Sequence, residues 1–297
     1  MPILPYRVLD VFTGQPLAGN QLGLFPDAAA LDGAAMQAIA RELNLAETVF
    51  ITGRRGAASY DARIFTPAQE MPFAGHPSIG CAWHLFREAQ PQAQRLELHL
   101  PGGVVGAELD GSLTPALVAI TPPPVTLGPV VDDTALLCRL YGVTPGDLAL
   151  DLAPAQQINV GLRYLQVPLR SRAALERCWP DVALLEQMDG ERGFNQLACF
   201  CREAYTPDAF CAVRMFAPLH GVYEDPATGS NAACLAAYLR AHGLVGDTGT
   251  GWLKLDQGYS IQRPSAIYIR ATALADGGVD IRVGGQCVEV MQGTLAF

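Results

Sequence analysis

The chain has 297 residues, half of them apolar, and a formal net charge of −9. That size fits one large domain or two ordinary ones with a substantial core, and the acidic balance argues against nucleic acid or an anionic membrane as the main partner. No apolar run approaches the about 20 residues that a membrane span needs, and the first residues lack the basic-then-apolar layout of a secretory signal, so the expectation is a cytoplasmic enzyme or binding protein.

Alternation predicts a strand over residues 7–12 and a short second strand over 21–25, joined by a loop rich in glycine, proline and asparagine. Met36, Ile39, Ala40 and Leu43 recur at helical spacing. They predict a helix over 32–43, with Asp32 able to cap its start and Asn44 to stop it. A strand over 47–52 follows, in which Glu47 shares a face with Val49 and Ile51. If that face points inward, a carboxylate sits at the mouth of an apolar environment. On these residues alone, a surface glutamate where a strand begins is the plainer reading.

A strand over 60–66 leads into Pro72-Phe73-Ala74-Gly75-His76-Pro77. Pro77 reads as the first helical residue and His76 as the N-cap. The helix predicted over 78–87 is apolar almost all round, which marks a core helix wrapped by other elements. Strands follow over 96–100, 104–109 and 117–120.

Pro122-Pro123-Pro124 resists helix and interior sheet alike, and the domain boundary is placed there. Beyond it the pattern predicts helices near 132–141 and 173–178, and strands near 157–160, 164–169, 197–202 and 211–216. Glu224-Asp225-Pro226-Ala227-Thr228-Gly229-Ser230 then forms a tight polar turn into a second apolar helix, with Gly243 as its stop. Strands near 252–255, 260–262, 267–273, 279–284 and 287–295 close the chain.

The two polar turns are copies of one another. Arg63-Ile64-Phe65-Thr66-Pro67 matches Arg214-Met215-Phe216-Ala217-Pro218, and Pro72-Phe73-Ala74-Gly75-His76 matches Pro226-Ala227-Thr228-Gly229-Ser230. The helices that follow also align. A period near half the chain means duplicated domains. Gly75 and Gly229 are equivalent turn residues, and His76 and Ser230 equivalent caps. Two such domains facing each other would bring two positive helix ends to one cleft, a setting that suits a carboxylate.

Eight cysteines include no Cys-x-x-Cys pair and no histidines at zinc spacing, so reduced, buried thiols are expected and no metal site. Gly102-Gly103-Val104-Val105-Gly106 lacks the setting of a dinucleotide site. No Gly-x-Ser-x-Gly elbow occurs.

Together Asp10-Val11-Phe12-Thr13 with Gly19-Asn20, Ala46-Glu47-Thr48, the segments 72–77 and 224–230, Asp256-Gln257-Gly258 through Ser265, and Val283-Gly284-Gly285 make the chain resemble the phenazine-biosynthesis (PhzF-like) isomerase family. The resemblance spans nearly the whole sequence. It implies the diaminopimelate-epimerase-like α+β fold: two similar domains, each a barrel-like, mostly antiparallel sheet around a central helix. They would cover 1–122 and 123–284, with the final strand, about 285–297, returning to the first and the site lying between them. It implies no cofactor, a small carboxylate substrate and a homodimer.

Epimerases and racemases of this fold carry a cysteine just before each apolar helix. Here those positions are Gly75 and Gly229, and the family pattern puts one glutamate, Glu47, in their stead. The resemblance makes Glu47 the general acid/base that shifts a proton within an unsaturated substrate. Partial burial would raise its pKa toward neutrality. It makes His76 and Asp225 polar catalytic partners, and Ser230, Gly75, Gly229 and Asn20 substrate-binding residues. The alternatives are an epimerase or racemase of an amino-acid derivative, and a non-catalytic binder of small carboxylates.

Overall fold

Every residue of the helix Gly75–His84 except Trp83 is buried. A helix without a wet face needs cover on all sides, and the first half of the chain supplies it. The structure, a computed structural model, describes residues 3–249, 251–275 and 277–296. Met1, Pro2 and Phe297, at the ends of the expected domain ranges, lie outside the described residues, as do Thr250 and Asp276.

The chain divides into two units, Met1–Thr121 with Gly284–Phe297, and Pro122–Val283. In the first, strand Ile3–Val11 lies antiparallel between Asn20–Phe25 and Cys287–Ala296. Asn20–Phe25 runs parallel to Glu47–Gly56, which pairs antiparallel with Ser59–Phe65. The sheet continues, parallel, to Arg95–Leu100 and then antiparallel through Gly103–Asp110 to Leu117–Ile120. The central helix packs against six of these strands. Gly80 permits its closest approach: a Cβ there would overlap the Leu22 side chain and come within 3.0 Å of Val11 Cγ2.

The second unit repeats the pattern. Gln156–Asn159 pairs antiparallel with Arg163–Pro168, which runs parallel to Gln196–Cys201. That strand pairs antiparallel with Ala209–Phe216, which runs parallel to Leu253–Gln257 and on, antiparallel, to Ser265–Ala273. The helix Gly229–Ala241 is buried along its first eight residues and packs against Gln156–Asn159, Arg163–Pro168 and Ser265–Ala273. The fold is thus α+β and dominated by sheet.

Several sequence expectations need correction. Both central helices begin one residue before the expected cap. Ala74 and Thr228 are the N-caps, neither with a side-chain cap bond, and His76 and Ser230 are second helical residues. Pro77 is therefore third in its helix, where its missing N–H still costs no intrahelical bond. Residues 260–262 do not form a strand: Tyr259–Ile261 is a single 3₁₀ turn between Gly258 and Gln262, both left-handed at φ +79° and +59°. The apolar pattern also fails to predict the helix Val182–Arg192, whose buried face is only Leu184, Leu185 and Met188.

Candidate active site

In the first unit three of the expected site residues meet. Glu47 opens its strand and pairs in register with Leu22. Neighbours in register share a face, and Leu22 faces the central helix at Gly80, so the Glu47 carboxylate is turned to that helix. His76, in the helix's first turn, presents Nε2 to Glu47 Oε2 at 3.3 Å, although without the alignment of a hydrogen bond. Asn20 Nδ2 lies 3.4 Å from His76 Nδ1. With Asn20 as donor, Nδ1 accepts and the ring proton sits on Nε2, toward Glu47.

Burial sets the charge of this group. His76 is 5% exposed and Asn20 1%. Desolvation drives the His76 pKa down to about 3, against a smaller upward pull from the Gln21 backbone. The imidazole is therefore neutral near pH 7, and the short contact with Glu47 is not an ion pair.

In the second unit the polar turn is held from several sides. Thr228 Oγ1 donates to Asp225 Oδ2 at 2.6 Å, which is why it does not cap the helix. Gln257 Nε2 donates to the Asp225 carbonyl at 2.8 Å and to Thr228 Oγ1 at 3.0 Å. Next to Gln257, Gly258 lets the chain fold close: a Cβ would lie 2.6 Å from the Pro226 carbonyl oxygen. Ser230 Oγ shares a 2.7 Å hydrogen bond with the hydroxyl of Tyr164. Gly75 and Gly229 each open their helix, the end at which backbone N–H groups lack intrahelical acceptors.

The repeat extends into the ion pairs. Arg63 grips Glu70 through two bonds of 2.7 Å, and Arg214 grips Glu224 through bonds of 3.0 and 2.7 Å. Each guanidinium also covers a phenylalanine two residues on, Phe65 or Phe216. Each fork fixes the segment that leads into its helix.

Sequence reasoning did not single out Tyr164, Thr228 or Gln257 by role. Gln257 stood in a motif, but the hydrogen bonds that give it work come from a loop 29 residues earlier. Cys81 and Cys234 lie buried inside the two helices, and burial pushes the Cys81 thiol up to about 12 and that of Cys234 higher. Among the described residues, no group of three His, Cys, Asp or Glu side chains is placed to hold a metal.

Two α+β units, each wrapping a sheet round a buried helix, define the class to which the proline-racemase and epimerase folds belong. A probable proline racemase from Agrobacterium radiobacter superposes with a TM-score of 0.64 over 99% of this chain and 93% of its own, at 12% identity. A PhzF-family protein from Bacillus anthracis superposes at 0.90 over the whole of both chains, at 21% identity. Within that class the chain belongs to the phenazine biosynthesis-like (PhzC-PhzF) family, whose sequence pattern it matches over residues 9–293. Trans-2,3-dihydro-3-hydroxyanthranilate isomerase of Pseudomonas chlororaphis is 33% identical over 98% of this chain and 99% of its own length. The Pseudomonas aeruginosa protein of the same name is 32% identical over 97% and 98%. The chain is an isomerase of this family. Among its described residues no helix is long and apolar enough to cross a membrane.

Proposed function

We propose that the protein is a cofactor-independent isomerase that moves a proton within a small unsaturated or amino-carboxylate substrate, with Glu47 as the acid/base. The observation that carries the reading is the Asn20–His76–Glu47 chain, in which Asn20 and His76 are buried and Glu47 is partly exposed. A group that both removes and returns a proton must change charge during turnover, and its neighbour must tolerate both states. A neutral His76 does so: it carries no fixed charge that would hold Glu47 ionised, and a small turn of the ring or the carboxyl group brings Nε2 from its 3.3 Å contact into a hydrogen bond once the proton has left. Asn20 as donor to Nδ1 selects the tautomer with its proton on Nε2. Glu47 takes a proton from an activated carbon and delivers one to another carbon of the same conjugated system.

Asp225 is proposed as an acceptor for the substrate's amino or hydroxyl group, its carboxylate held in place by Thr228. Ser230, with the helix-end backbone at Gly75 and Gly229, is proposed to bind the substrate carboxylate and any enolate-like charge. The relatives named for trans-2,3-dihydro-3-hydroxyanthranilate make that compound the first substrate to try. The epimerase alternative needs thiolates beside the helix starts. Here those places are glycines, and the helix cysteines are buried with raised pKa values, which weighs against it.

The test is Glu47→Gln. Turnover and solvent-deuterium incorporation into the substrate should fall by about 10²–10⁴-fold while the circular-dichroism spectrum stays native. Undiminished exchange would sink the assignment.

A further inference from the structure

The sheet registers identify a residue that the sequence repeat does not reveal. Arg63 and Arg214 are equivalent. Arg63 lies opposite Phe50, and Arg214 opposite Cys199. Counting back along each strand places Glu47 and Gln196 at the same point. The parallel neighbours agree: Glu47 sits beside Leu22, and Gln196 beside Tyr164. In the second unit, then, the position of the acid/base holds a carboxamide of the same shape.

Gln196 faces the helix end as Glu47 does. Its register partner Tyr164 reaches Ser230, in the helix's first turn, through the 2.7 Å hydroxyl bond. Neighbours in register share a face, and Gln196 is only 3% exposed. Three equivalent positions have therefore diverged together. Leu22, Glu47 and His76 in the first unit are an apolar residue, an acid and a base. Tyr164, Gln196 and Ser230 in the second are three neutral hydrogen-bonding groups. The added bulk of Tyr164 over Leu22 offsets the smaller Ser230, and its hydroxyl shares a 2.7 Å hydrogen bond with Ser230 Oγ.

We propose that Gln196 is a substrate-binding residue that donates its amide N–H to the substrate carboxylate at the Gly229–Ala241 helix end, and that a neutral side chain is required there. A glutamate at this point would repel the same anion and compete with it for the helix end. The inference rests on the isomerase reading above and adds to it which end of the repeat takes the carboxylate.

The experiment compares wild type, Gln196→Glu, Gln196→Met and Glu47→Gln with trans-2,3-dihydro-3-hydroxyanthranilate in deuterated buffer, reading kcat and KM across pH. Q196E should raise KM at least about 10-fold with kcat within about 3-fold, because it replaces a donor to the substrate carboxylate with a like charge. The KM penalty should shrink as pH falls and the new carboxyl group is protonated. Q196M should raise KM by a similar factor without that pH dependence, and it decides the matter alone if Q196E does not fold. An unchanged KM in the folded variants, with E47Q inactive, overturns the role of Gln196 and leaves the isomerase reading standing. A kcat loss with unchanged KM also overturns it. A wild-type protein that turns the compound over while E47Q exchanges deuterium undiminished overturns the reading itself, and this inference with it.

Discussion

The two arginine–glutamate forks arise from the same repeat yet sit in opposite surroundings. The side chains of Arg63 and Glu70 are each 32% exposed. Those of Arg214 and Glu224 are each 5% exposed, and Arg214 Nη1 also donates to the carbonyls of Leu175, Glu176 and Cys178 at 2.9, 3.1 and 2.9 Å. Those carbonyls end the short helix Arg172–Arg177, whose open acceptors and negative dipole end favour a cation. Burial alone disfavours the Arg214 charge, but hydrogen bonds and charge from Glu224 outweigh it and raise its pKa. One motif therefore serves as a surface clasp in one unit and as an internal junction in the other. What differs is the amount of chain packed on top.

The largest test of that contrast is Arg214→Met. It leaves Glu224 buried without its partner and takes a donor from three carbonyls, of which only that of Leu175 keeps a bond from Cys178 N–H among those described. Breaking such a pair costs about 3–5 kcal/mol, so urea unfolding should show a loss of that size. Because Asp225 follows Glu224 directly, activity should fall as well. A loss under about 1 kcal/mol would mean that the buried fork is not a junction.

The central helices offer a second contrast. Gly80 and Cys234 are both the sixth residues of their helices. Gly80 has no room for a methyl group against Leu22 and Val11, whereas its counterpart already carries a buried side chain, with Cys234 at 0% exposure. Gly80→Ala should therefore destabilise by about 1–3 kcal/mol through overpacking, despite alanine's better helix propensity. Thermal melts of the two single variants check this: G80A should lower Tm more than Cys234→Ala lowers it, and the reverse order would contradict the packing account.

The sequence carried the fold's outline because the outline rests on local signals. Apolar periodicity marked both central helices, and Asp32 and Asn44 bounded their helix as expected, with Asn44 left-handed at φ +51°. Glu47 was legible as a candidate through the family pattern, and its contact with His76 joins residues 29 apart in sequence. What was hidden depends on register. Gln196 carries no local mark, and only strand pairing shows it standing where Glu47 stands. The cap positions were misread because Ser230 turns to Tyr164 and Thr228 to Asp225, contacts made across the fold rather than along the chain.

His76 and Ser230 differ in a way that pH can expose, since only the histidine titrates. Its folded pKa of about 3 lies below the ordinary value of 6.5, so the unfolded chain binds a proton that the native protein refuses. The stability contributed is present above pH 6.5 and is lost as pH falls from there toward 3. Between pH 6 and pH 5 that loss should be about 1 kcal/mol. His76→Gln should remove this part of the slope. His84 and His242, also lowered by burial, keep theirs in both proteins, so the difference isolates His76. Parallel stability–pH curves would show that His76 is protonated in the native state.

The smallest expected effect completes the comparison with which the forks began. Arg63→Met removes the same guanidinium from the same motif, but Glu70 remains in reach of water, and no helix end is left uncapped. The pair is also partly screened by solvent and salt. Exposed pairs contribute about 0.2–1 kcal/mol, and the stacking of Arg63 over Phe65 adds little at a half-exposed site. The loss should stay within about 1 kcal/mol and shrink further in 0.5 M salt, while the Arg214→Met loss should hardly respond to salt. Equal losses in the two variants, or equal salt dependence, would show that the shared motif rather than its burial sets the strength of the fork.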